Sequence, residues 1–77
     1  MIKNANINAR LYDLLNVLDA RATVNIFVGE GETQKSIKYA RVLELLTDRD
    51  FMRDYKTYEI VGLNIGLVNN ILIDKEV

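Results

Sequence analysis

Asp48, Asp50 and Asp54 form the one acidic cluster of the chain, in the run TDRDFMRDY. A hard ion such as magnesium takes oxygen donors, and one or two carboxylates together with a substrate phosphate can hold it. Arg49 and Arg53 are interleaved with these acids, however, and would neutralise them. The plainer expectation is a solvated helix start, with Thr47 as its cap and the acids favoured by the positive end of the helix dipole. Gly29-Glu30-Gly31-Glu32 contains a Gly-x-Gly of the kind that cradles phosphate. Such loops lead from a strand into a helix whose amides face the anion. Here the loop leads into a second strand and carries two acids, so a hairpin turn is expected. The chain has no histidine and no cysteine. That removes the commonest general base and metal ligand near neutral pH, and every disulfide or thiolate site. The expectation is a protein without catalytic residues, cofactor or metal.

These residues must be positioned by helices and strands whose periods can be read directly. Leu11, Leu14, Leu15 and Leu18 recur at the spacing of one helix face and predict a helix over 8–19, with Asn8 as N-cap and Ile7 stapled to its first turns. From Thr23 the period becomes two: Val24, Ile26 and Val28 alternate with Asn25, Phe27 and Gly29. Lys35, Ile37 and Tyr39 resume the alternation after the glycine turn. Val42, Leu45, Leu46, Phe51, Met52 and Tyr55 fit a helical surface over 41–55, with Thr47 and Asp50 spaced like a capping box, as one bent helix or two short ones. Val61, Leu63 and Ile65 predict a third strand, and Ile71, Leu72 and Ile73 begin a fourth. An odd-length loop between these last two aligns Val61, Leu63 and Ile65 with Ile71 and Ile73, and leaves Asp74 and Glu76 on the other side.

The expected fold is a single α+β domain over 1–77, in the order α-β-β-α-β-β, with two helices on one face of a small antiparallel sheet of about four strands. A 77-residue chain is one domain, of a size that buries only about 60% of its unfolded surface, so a partner subunit would help its stability. Half of it is apolar (49%) and 27% is charged, the balance of a folded soluble domain. Ten basic and eleven acidic side chains leave a formal charge of −1, which supplies no global field for nucleic acid or an anionic membrane. MIKNANINAR has no apolar core of signal-peptide length, and the apolar window from Ile60 to Ile73 is shorter than a membrane span of about 20 residues. Both features point to the cytoplasm.

Three surfaces remain as candidates for binding. If Val24, Ile26, Ile37, Leu63, Ile65 and Ile73 face the helices, then Phe27, Tyr58, Ile60 and Leu72 face away, a contiguous apolar and aromatic group of the kind that marks an interface. Lys35, Lys38 and Arg41 with Tyr39 are the nearest approach to a nucleic-acid surface, but alternation puts Lys35 and Lys38 on opposite faces. In QKSIKY, the residues Gln34, Ile37 and Tyr39 resemble the Gln-x-x-aliphatic-x-aromatic peptides that dock on bacterial sliding clamps. As a strand, this segment would place Ile37 and Tyr39 on one face, where the core wants them.

The runs LYDLLNVLD, VNIFVGE, RVLELLTD and YEIVGLNIG, together covering roughly residues 10–76, resemble the short phage and prophage proteins of Gram-positive bacteria that are built as a helix, a hairpin, a short helix and a terminal hairpin. The resemblance implies a mobile-element origin and an accessory role, frequently the binding and inhibition of a bacterial protein. The expected function is therefore a non-enzymatic cytoplasmic interaction protein, a homodimer, that blocks a bacterial host or defence protein by steric occlusion. An anti-CRISPR-like or replication-protein inhibitor would be of this kind. The alternatives are a nucleic-acid-binding accessory protein and a carrier of a clamp-binding peptide.

Overall fold

A computed structural model describes residues 8–29 and 31–75. Its helices are α1 (Leu11–Val17), α2 (Val42–Thr47) and α3 (Arg49–Tyr55), and its strands are β1 (Thr23–Val28), β2 (Lys35–Arg41), β3 (Glu59–Asn64) and β4 (Val68–Asp74). The four strands make one open sheet in the order β2-β1-β4-β3. Leu11 and Leu15 of α1, Val42 and Leu45 of α2, and Phe51 and Met52 of α3 pack on Val24, Ile26, Ile71 and Ile73, so all three helices lie on one face. The class is α+β, as expected. Ile7, Glu30 and Glu76 lie outside the described residues.

The sheet is mixed where a wholly antiparallel one was expected. Each hairpin is antiparallel, but β1 and β4 run parallel, with Thr23 opposite Val68 and Val28 opposite Ile73. The cause lies in the connection between the hairpins. Residues 42–55 leave β2 at one edge of the sheet and enter β3 at the other, and a helical crossover of about a dozen residues carries a chain back to start a strand in the same direction.

Helix ends differ from expectation for reasons of local hydrogen bonding. The segment over 41–55 is two helices, broken where Asp48 is extended (φ −83, ψ 98) and caps α3 by accepting the Phe51 amide at 3.1 Å. Thr47 is not the cap, because its hydroxyl donates back to the Leu43 carbonyl at 2.9 Å. Helix α1 starts at Leu11, with Arg10 and not Asn8 in the N-cap position. The Asp13 carboxylate takes the Arg10 amide, and Glu44 takes the Arg41 amide in the same way, each at 3.2 Å. The free amides of both first turns then find loop carbonyls: Leu11 donates to Tyr58 and Val42 to Ala22, each at 2.9 Å.

One bulge in each edge strand changes which side chains reach the core. In β3, Leu63 lies opposite Ile71 as face matching predicts, and the turn between β3 and β4 has an odd length, Ile65-Gly66-Leu67. The register then shifts at Val61, so Ile60 lies opposite Ile73 and is buried with it. In β2 the shift falls at Ile37. Ser36 lies opposite Phe27 and Lys38 opposite Ile26, so Ile37 turns toward the helices and packs against the core, and Tyr39 turns to the other face.

Candidate interaction surface

The two hairpins turn at opposite ends of the sheet, because β1 and β4 are parallel. The β1–β2 turn is polar, runs through a single 3-10 turn (Gly31–Thr33), and leads into a strand. Gly29 takes φ +113, and a Cβ there would stand 2.4 Å from the Thr33 carbonyl oxygen, so the turn closes only with glycine at this position. The β3–β4 turn is apolar. Ile65 is 63% exposed, and Leu67 is as exposed as in an extended chain, at 101%.

Thr23 lies beside both Arg41 and Val68. The β3–β4 turn, the loop after α1 and the first turn of α2 therefore meet at this end of the sheet, where the Leu43 amide donates to the Ala20 carbonyl at 2.9 Å. Val17, the last residue of α1, and Leu43 in the first turn of α2 are both exposed. Val17, Leu43, Ile65 and Leu67 thus collect large apolar side chains at one end of the molecule. The sequence did contain the signal for this: turns are normally polar, and Ile-Gly-Leu is not. It was masked because Ile65 continues the alternation of Val61 and Leu63.

The face turned away from the helices is smaller as a candidate than alternation suggests. Phe27 and Leu72 lie there side by side, next to Gly62, with Phe27 half-buried and Leu72 wholly buried. The bulge at Val61 removes Ile60 to the core. Tyr58 precedes β3 and packs edge-on against Tyr55 (ring centroids 5.0 Å apart), which in turn packs on Phe51 at 5.1 Å. The next row of this face is polar, Tyr39-Asn25-Asn70-Asn64 across the four strands. Ser36 is hydrogen-bonded to Asn25 in the same region.

In the segment Gln34 to Tyr39, Gln34 is half-buried ahead of β2, Ile37 packs toward the helices, and Tyr39 is 62% exposed on the other face. The shared face expected for Ile37 and Tyr39 is removed by the bulge at Ile37, and one pocket on a partner would not receive both. Through the same bulge, Lys35 (opposite Val28) and Lys38 (opposite Ile26) share the helix-bearing face, where opposite faces were expected.

The acidic cluster is divided among local partners. Asp48 holds Lys38 at 3.0 Å, and its carboxyl lies below the ordinary aspartate range through the Phe51 amide first and Lys38 second. Arg53 pairs with Asp50 at 3.3 Å and with Asp54 at 3.1 Å. Arg53, Asp54, Tyr55, Thr57, Tyr58 and Lys75 line a shallow open depression beside α3. Among the described residues no helix is long and apolar enough to cross a membrane. No family model, no curated protein and no solved structure matches the chain.

Proposed function

We propose that this chain is a non-enzymatic protein-binding domain that covers part of a bacterial protein and blocks it by steric occlusion. The observation that supports it most is the apolar end formed by Val17, Leu43, Ile65 and Leu67. Nothing in the turn requires two large aliphatics in water, and large exposed apolar side chains gathered at one end of a small domain are the kind of surface that protein contacts use. The reading includes a phage or other mobile-element origin, action in the cytoplasm of a bacterial host, and a defence or replication protein as the target. A second copy would meet the first at Phe27, on the face away from the helices. Light scattering that shows a strict monomer at high concentration removes the dimer from this reading.

The test is affinity capture from bacterial lysate with the immobilised chain, in parallel with Ile65→Ser/Leu67→Ser and with Phe27→Ser. A protein retained by the wild type and by Phe27→Ser, but lost from the double variant, supports the apolar end as the site. Equal retention by all three removes it. Nucleic-acid binding is the rival, and a salt titration against DNA and RNA decides it: binding with a steep salt slope favours the rival, and no binding at low salt removes it.

A further inference from the structure

We infer that the open edge of β2 binds a short, extended, acidic segment of a partner protein by strand addition. The two edges of the sheet differ. Along β3 the chain itself covers the first residues: Arg10 bridges Glu59, the Ile60 amide donates to the Ala9 carbonyl at 2.9 Å, and the Leu11 amide donates to Tyr58 at 2.9 Å. Strand β2 has β1 on one side and no strand on the other among the described residues. An edge strand of this kind presents a row of unpaired N–H and C=O groups to any extended segment.

Charge decides which segment fits. The seven residues of β2 include Lys35, Lys38 and Arg41 and no acid, in a chain that is formally −1 overall. Lys38 is held by Asp48, whereas no ion pair to Lys35 or Arg41 is present among the described residues. The stripe rejects a second copy of itself. In an antiparallel pairing centred on Lys38, Lys38 would meet Lys38, and directly opposed like charges destabilise a sheet. The same stripe attracts carboxylates. Lys35 and Arg41 lie at the two ends of the strand, about 20 Å apart at about 3.3 Å per residue, the first on the helix-bearing face and the second on the other, which matches an extended peptide with an acid toward each end, one on each face. Between them Tyr39 offers an exposed ring to an apolar side chain of the added strand. The bulge at Ile37 keeps the edge from accepting a long flat strand, so the segment is short. An oligonucleotide suits this edge less well, since it needs successive aromatic platforms and β2 exposes one.

This inference rests on the protein-binding reading and is tested apart from the apolar end. The probe is a fluorescein-labelled, end-capped valine-rich peptide with one glutamate toward each end, spaced to fall on opposite faces of an extended strand, measured by fluorescence anisotropy with the purified chain. Its lysine/valine counterpart, a backbone N-methylated version and a single-stranded oligonucleotide serve as comparisons. The acidic peptide is expected to bind, and Lys35→Glu/Arg41→Gln to weaken it about tenfold or more. N-methylation should abolish binding, and hydrogen exchange of the β2 amides should slow in the complex. Lys35 is exposed, so Lys35→Glu alone gives the same direction if the double variant does not fold. Absence of binding, equal binding of the basic peptide, indifference to N-methylation, or tighter binding of the oligonucleotide at the same residues overturns the inference. Ile65→Ser/Leu67→Ser should leave peptide binding unchanged. Loss of lysate capture with peptide binding intact therefore places a failure at the apolar end, and loss of peptide binding with lysate capture intact places it at the edge.

Discussion

The two hairpin turns do the same structural work with opposite chemistry. The turn after β1 is built of Gly29, Gly31, Glu32, Thr33 and Gln34, with two glycines at positive φ, and its polarity costs nothing in water. The turn after β3 closes a strand pair with Ile65, Gly66 and Leu67, and leaves both aliphatics exposed. The first turn is explained by the backbone alone. The second is not, since polar residues would close it as well. In a domain this small, two neighbouring aliphatic side chains that contribute nothing to the core are free for the contact proposed above.

Breaking the first turn should therefore cost stability, and breaking the second should cost binding. Gly29→Ala has the largest expected effect: φ +113 alone costs a non-glycine residue about 1–3 kcal/mol, and the added Cβ meets the Thr33 carbonyl at 2.4 Å, a backbone atom with little room to give. A urea midpoint unchanged in Gly29→Ala would show that the turn does not have this geometry. Gly31→Ala sharpens the point within the same turn. Gly31 has φ +51 and nothing within 4 Å of an added Cβ, so only the left-handed penalty of about 1 kcal/mol applies. The ratio of the two losses separates backbone strain from steric contact.

Why one turn was legible in the sequence and the other was not follows from period two. Alternation located β1 and the polar turn, because each leaves a change of period or a glycine cluster; it required an odd-length loop before β4 but placed it beyond Ile65, whereas the loop is Ile65-Gly66-Leu67 and β4 already begins at Val68. It failed at the two bulges. A single extra residue at Ile37 or Val61 leaves composition unaltered but reverses every face beyond it, which moved Ile60 into the core and set Ile37 and Tyr39 apart. It also failed at Ile65, whose apolar character fits a strand equally well. The parallel pairing of β1 and β4 was present in outline, as a helical stretch over 42–55 between hairpins. Such a stretch carries the chain across the sheet to the far edge, where a short loop would have kept neighbouring strands antiparallel. The start of α1 was missed because Arg10 has a poor capping side chain, and the acid three residues on and a loop carbonyl perform the capping, as they also do at Arg41, where the expected start holds.

The smallest expected effect on stability belongs to Ile65→Ser/Leu67→Ser. At 63% and 101% exposure these side chains lose almost nothing to water on truncation. Surface changes away from caps, cores and strained backbone usually fall within about 0.5 kcal/mol. The urea midpoint of the double variant should therefore match the wild type, while a partner captured through this end is lost. A drop of about 2 kcal/mol or more would be the size expected of buried aliphatics. It would show that Ile65 and Leu67 are covered within the folded chain, leaving the apolar turn as much a part of the structure as the glycine turn at the other end of the sheet.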